Sequence, residues 1–324
     1  MNGYPRFGWV DIDRFLHNDG IAAFLYLSED IKRYVYWFLC SKTEQFRSIN
    51  QGTAQPNLNT DIIKDTLIPI PPLAEQHRII KGIENILPLV DEYGLANEEL
   101  EQINAELPEK LKKSILQEAI MGKLGTQDPN DEPASVLLNR IREEKKQLVK
   151  AGVLKKKDLV ETPVEDDEIC QSNNGWEYVK LSSVTSLIDG IKKEGNYVCL
   201  DAKYLRGKSS GETLSQGKFV SKNDNIILVD GENSGEVFTV PCDGYMGSTF
   251  KQLWVSDVMC LPYVLYFIKF YKDILRNSKK GAAIPHLNKD VFSNLVLGIP
   301  PLAEQHRIVE KIEALFAEVD HIEI

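Results

Sequence analysis

The chain has 324 residues, 43% of them hydrophobic and 27% charged, which suits about two ordinary domains and excludes wholesale disorder. A net charge of −10 argues on its own against a phosphate-binding surface, and five cysteines without a Cys-x-x-Cys or His/Cys cluster argue against a disulfide framework or a zinc site. The most apolar run, residues 258–270, is shorter than a membrane span and carries Pro262 and Lys269, and the N-terminus has no signal-peptide pattern, so a cytoplasmic protein without a membrane partner is expected.

In chain order, the pattern predicts an aromatic-rich helix over about 29–47, a polar Gly/Pro loop, a short strand over 66–70, and a long helix over 73–124. Pro71 and Pro72 divide strand from helix, because proline cannot donate to a ladder yet suits a first helical turn. Glu75 falls in that turn, where a negative charge favours the helix dipole. Ile79, Ile83, Ile86, Val90 and Tyr93, then Leu100, Ile103, Leu107, Leu111 and Ile115, recur at spacings of three and four, a coiled-coil stripe. Pro88, Gly94 and Pro108 predict kinks or joined segments within it. The turn-rich TQDPNDEP leads to a charged helix over 134–151, then to an exposed linker with room for a brief strand. From GWEYVKL (175–181) to about Trp254 the pattern is β-rich with many Gly and Asn turns. A second aromatic helix over 258–277, a strand over 295–299 and a second helix after Pro300-Pro301 follow.

IPPLAEQHRI occurs at 70–79 and again at 299–308, an offset of 229 residues. Without gaps, GTAQPNLNTD (52–61) aligns with GAAIPHLNKD (281–290), and YVYWFL (34–39) with YVLYFI (263–268). A unit of domain size has been duplicated; the period is far too long for a solenoid.

Charge is segregated along the chain. Acidic residues gather in the helical parts (Glu98, Glu99, Glu101, Glu106, Glu109) and over 161–168. Lys192, Lys193, Lys203, Arg206, Lys208, Lys218 and Lys222 face only Glu194, Asp201 and Glu212, and a second basic group is Lys269, Lys272, Arg276, Lys279 and Lys280. For any single lysine a solvated surface is the plainer reading.

Catalytic motifs are missing. The Pro pairs are Ile-Pro-Pro-Leu, without the polar residue an adenine methyltransferase needs beside them; GENSG (231–235) reads as a hairpin turn; no P-loop is present. His77 and His306 are expected to contact a partner helix or recognition domain, and His17, His286 and His321 have no obvious acid or nucleophile companion in the sequence.

These segments together resemble the specificity subunits of Type I restriction-modification systems. GWEYVKL resembles the opening strand of a target recognition domain, NIILVDGENSGEVFTV (225–240) its paired strands around a Gly-rich loop, and GAAIPHLNKD and GTAQPNLNTD its loop before the last strand. PPLAEQHRI resembles the start of the long conserved helix, and residues 107–124 with 128–152 the join after it. The resemblance implies an α+β fold: β-rich target recognition domains, long antiparallel coiled-coil spacer helices and an internal pseudo-repeat. It implies a partial first recognition domain (1–72), a first conserved helix (73–124), a connecting segment (125–174), a complete second recognition domain (175–299) and the start of a second conserved helix (300–324), with both ends cut short of the family pattern.

The function so implied is non-catalytic: reading a bipartite site on double-stranded DNA and docking Type I modification (methyltransferase) subunits, with a restriction (motor-nuclease) subunit completing the complex. No metal or cofactor is expected on the chain, S-adenosylmethionine being expected on the partner methyltransferase. The alternative is a truncated or silent-cassette remnant that binds modification subunits without reading a defined site. Phosphate contacts are expected from Lys192, Lys193, Lys203, Arg206, Lys208, Lys218 and Lys280, base contacts from Asn196, Tyr204, Ser209, Gln216 and Asn233, and counterparts in the partial domain from Arg47 and Gln55. Gly281 would permit close backbone approach, and Asn59 and Asn288 are expected to cap loops.

Overall fold

The computed structural model describes residues 27–49, 60–169, 173–279 and 285–322. Backbone contacts divide the chain into two units, 1–103 and 104–324. No helix among the described residues is long and apolar enough to cross a membrane.

The first unit holds α1 (Glu29–Ser41), α2 (Thr43–Ile49), α3 (Thr60–Lys64) and the beginning of α4 (Leu73–Ile120). The aromatic helix expected over 29–47 is thus two helices that meet at Lys42. Buried Tyr34 on α1 donates its hydroxyl to the Pro69 carbonyl at 2.9 Å, tying α1 to the segment before α4. The strand expected over 66–70 does not form. Leu67 and Ile70 are 91% and 67% exposed, and among the described residues no strand of this unit lies beside them to complete a ladder.

α4 is one 48-residue helix, about 72 Å long at ~1.5 Å per residue, and the expected interruptions at Pro88, Gly94 and Pro108 do not divide it. Each proline removes a single donor, and around Pro88 the helix is exposed, so the freed Glu84 carbonyl can turn to solvent. The apolar stripe is uncovered over the first unit: Ile86, Leu89, Val90, Tyr93, Leu100 and Ile103 are all exposed.

The second unit contains the end of α4, then α5 (Ala134–Lys150), β1 (Glu177–Lys180), β2 (Thr185–Ile188), β3 (Ile191–Leu200), α6 (Ala202–Leu205), β4 (Thr213–Val220), β5 (Asn225–Leu228), β6 (Val237–Thr239), β7 (Gly244–Met246), β8 (Phe250–Val255), α7 (Leu261–Phe270), α8 (Lys272–Asn277), α9 (Lys289–Asn294), β9 (Val296–Ile299) and α10 (Leu302–Asp320). Between α5 and β1 the described residues form two single helical turns, at Lys156–Leu159 and Asp166–Glu168, and no strand. β1 pairs antiparallel with β9, a four-stranded sheet runs β2-β8-β5-β6, and β3, β4 and β7 close on one another as a small barrel.

One core joins Leu116 and Ala119 of α4, Leu137 and Ile141 of α5, Trp176, the aromatic face of α7, and Ile308 and Ile312 of α10. A second, around Leu200, Val220, Ile226, Met246 and Phe250, fills the barrel side. The end of α4 and α10 run antiparallel: Lys112 bonds Asp320 at 2.5 Å, whereas Arg307, near the start of α10, reaches the Thr126 carbonyl beyond the end of α4.

The duplication extends to individual bonds. Tyr263 donates to the Gly298 carbonyl at 2.8 Å as Tyr34 does to Pro69, and Gln305 Nε2 donates to the Pro300 carbonyl at 2.9 Å as Gln76 does to Pro71 at 2.8 Å.

Candidate nucleic-acid interface

β3 and β4 form a two-stranded ribbon whose register sets three of the expected basic residues, Lys192, Lys193 and Lys218. Lys192 lies opposite Lys218, Lys193 opposite Gly217, and Glu194 opposite Gln216, with a bulge between Glu194 and Tyr197. A side chain at position 217 would collide with Tyr245, since a Cβ there would stand 2.7 Å from the ring, so glycine allows Tyr245 to fill the barrel. Lys193 Nζ lies 3.9 Å from the Phe219 ring centroid and 5.1 Å from that of Tyr197, a cation–π position at the mouth of an aromatic cluster completed by Tyr245. Lys218 reaches Asp189, in the β2–β3 turn, at 3.5 Å. Lys192 is exposed and makes no ion pair among the described residues.

At the other end of the ribbon, α6 and the turn after it carry Lys203, Arg206 and Lys208. About eight strand residues separate the two ends, roughly 26 Å at ~3.3 Å per residue, so the structure splits the basic stretch into two groups. Lys203 and Lys208 are exposed and without ion pairs among the described residues. Arg206 is tied to Glu236 and stacks 5.8 Å from the Phe238 centroid. The Tyr204 ring packs against the barrel core and its hydroxyl lies 3.6 Å from Cys242 Sγ, so this candidate for base contact is already engaged. Asn196 and Ser209 are exposed beside the two basic groups; Asn233 sits in the β5–β6 loop.

That loop meets the end of the 281–290 segment. Gly231 N–H donates to the Pro285 carbonyl at 2.8 Å, Leu287 N–H to the Val229 carbonyl at 2.7 Å, and His286 Nδ1 lies 2.6 Å from Asp230 Oδ1. The sequence offers His286 no acid companion; the fold supplies one from 56 residues away. Val229, Asp230, His286, Leu287, Lys289 and Asp290 line a shallow cavity of about 360 Å³. Asn288 caps α9 by accepting from Val291 N–H at 3.4 Å, as expected for a loop cap.

Lys280, Gly281, Gln55, Asn59 and His17 lie outside the described residues; Arg47 falls on α2. Two basic residues escaped the sequence reading. Lys155 and Lys251 both approach Asp189, Lys155 at 3.8 Å and Lys251 in direct contact. The bond from Lys251 holds the Asp189 carboxyl below the usual carboxylate range, opposed by partial burial and supported by Lys218. Lys155 stands in a segment read as linker and Lys251 on β8, so linear charge clustering could not find them.

The second Pro-Pro helix start is buried. Trp176 Nε1 donates to Glu304 Oε1 at 3.3 Å, and burial pushes the Glu304 carboxyl above its ordinary value. Arg307 pairs with Asp131 at 2.5 Å, and His306 Nδ1 lies 3.6 Å from the buried Cys260 thiol, which burial pushes up rather than activates. His306 thus meets the residue that precedes α7. His77, its counterpart, lines a surface hollow with Glu29, Asp30, Arg33 and Glu84. Among the described residues no group of three or more His, Cys, Asp or Glu is placed to hold a metal ion.

Sequence comparison matches residues 9–109 and 173–323 to the family described as Type I restriction modification DNA specificity domain. The Type I restriction enzyme EcoAI specificity subunit of Escherichia coli is 28% identical over 313 residues, covering 76% of this chain and 53% of that protein. The EcoEI specificity subunit, also from Escherichia coli, is 31% identical over 240 residues, covering 66% and 40%. The chain thus spans about half the length of these relatives. Among solved structures, the HsdS subunit from Thermoanaerobacter tengcongensis is 19% identical, with 90% of this chain and 65% of that one covered and a TM-score of 0.40. A chain from a structure of the type I R-M system, also 19% identical, covers 89% and 64% with a TM-score of 0.49.

Proposed function

The chain belongs to the Type I restriction modification DNA specificity family, and from that membership we propose that it reads sequence on double-stranded DNA and holds a modification enzyme at the site it reads. The observation that carries this reading is the β3–β4 ribbon. On a chain of net charge −10, Lys192 on the ribbon and Lys203 and Lys208 in the connection at its end are exposed without ion pairs among the described residues, and Lys193 caps its aromatic cluster. Unpaired lysines supply phosphate contacts, which set register, while neighbouring polar side chains such as Asn196, Ser209 and Gln216 are of the type that reads base edges. In this reading residues 175–299 are the complete reading head, 1–72 a partial one, and the helices from 73 and from 300 the spacer, joined through 125–174. Lys280, Arg47 and Gln55 stay in the candidate set, and Tyr204 supports the α6 turn in addition to any base contact.

The chain itself catalyses nothing in this account. Adenine methylation, with S-adenosylmethionine, belongs to the modification subunits, and cleavage to the restriction subunit. Methylating a base inside a duplex requires turning it out of the stack, and the specificity chain contributes position and sequence choice to that step.

Co-purifying the chain with its modification subunits and mapping methylated adenines on random-sequence DNA tests this. Discrete methylated sites that vanish without the chain are the expected result. A complex that forms yet methylates without sequence preference would favour the alternative, a remnant that docks but does not read.

A further inference from the structure

Asp189 sits at the tip of the β2–β3 turn, held there by Gly190 at φ +72°, a left-handed position that favours glycine. Three lysines from distant parts of the chain converge on its half-exposed carboxylate. Lys155 comes from the connecting segment, Lys218 from the end of β4 and Lys251 from the start of β8. Two positive charges are left over. Lys192, the cross-strand partner of Lys218, adds a third, and Glu194 lies two residues further along β3. Like charges are not gathered around one small carboxylate for its own stabilisation, since exposed ion pairs return little. The arrangement does suit a doubly coordinated oxyanion, for which several ammonium groups supply point charges from different directions.

We propose that Lys155, Lys218 and Lys251 form a seat for one backbone phosphate of duplex DNA, with Asp189 as a built-in competing anion that keeps the three ammonium groups gathered while no phosphate is bound. The proposal rests on the reading of this unit as a DNA-reading head, and it names where on that head the backbone is gripped. It also gives the connecting segment a role in DNA contact through Lys155. Because each phosphate contact releases condensed counterions, the seat is visible in the salt dependence of binding, independently of base sequence.

The test is fluorescence anisotropy of a labelled mixed-sequence duplex with the full chain and its modification subunits, over a salt titration. Lys155→Gln and Lys251→Gln should each weaken binding and flatten the slope of log K against log salt by up to about 0.9, while Lys146→Gln, exposed on α5, leaves both unchanged. Asp189→Asn should tighten binding, by roughly threefold to tenfold at low salt, because a competing charge is lost. Unchanged slopes in Lys155→Gln and Lys251→Gln, or an Asp189→Asn variant no tighter than wild type, would overturn the seat while wild-type binding keeps the DNA reading intact. No duplex binding by the wild-type complex would overturn the DNA reading itself.

Discussion

At the scale of single residues, Glu304 shows what a sequence motif conceals. In both repeats this glutamate falls in the first helical turn, where the dipole favours it. Glu75 stays half-exposed beside Arg78, but Glu304 is 1% exposed beneath Trp176. Its pKa is raised in the folded state, so its contribution to stability is present in full below the ordinary value near 4.5 and is lost as pH rises through the folded value. Glu304→Gln keeps an acceptor for Trp176 and removes the charge. Thermal melts should find this variant as stable as wild type, or more so, at pH 8, and less pH-dependent above pH 4.5. A loss at pH 8 as large as at pH 4.5 would contradict the account. Tyr263→Phe leaves the buried Gly298 carbonyl without its donor and should cost about 1–3 kcal/mol in denaturant unfolding. The burial of Glu304 was illegible because Trp176, its partner, lies 128 residues earlier in the chain. The same distance problem hid Asp230 beside His286 and Lys251 beside Asp189, whereas Asn288, whose capping partner is three residues away, could be read directly.

At the scale of elements, periodicity and proline placement located both long helices, α5, and the β-rich region beginning at Gly175. Failures came where pairing or continuity depends on neighbours. Residues 66–70 and 295–299 have nearly the same surroundings in sequence, but only the second has β1 alongside it and becomes a strand. In α4 the interruption expected at Pro88, Gly94 and Pro108 does not occur, since two missing donors, twenty residues apart among 48, leave the turns on either side of each intact. Replacing Pro88 by Ala restores a bond to the Glu84 carbonyl, with a stabilising effect of up to about 3 kcal/mol for a helix interior. Hydrogen exchange over residues 84–92 should slow in this variant; unchanged exchange would mean that the helix is not continuous there in solution.

At the scale of the molecule, the apolar stripe on α4 stays exposed among the described residues, and in the proposed reading it is where modification subunits dock. Leu100→Glu with Ile103→Glu should leave the melting of the second unit unchanged, because its core begins further along at Ile115 and Leu116, while reducing co-purification of modification subunits. Retention of full co-assembly would move the docking surface elsewhere. The duplicated Gln-to-Pro bond has a mechanical consequence. Each long helix leaves its preceding segment through a bend braced by a glutamine side chain, but the two braces are unequal. Gln305 Oε1 also accepts the Cys260 N–H, at 3.1 Å, whereas buried Gln76 Oε1 has no hydrogen-bond partner among the described residues, and the Ile31 N–H that would match Cys260 turns to the Ser28 carbonyl instead. Built from one template, the two elbows are braced unequally, and the joint at residues 70–76, with one hydrogen bond fewer at its glutamine, is expected to yield first when the helices are pulled.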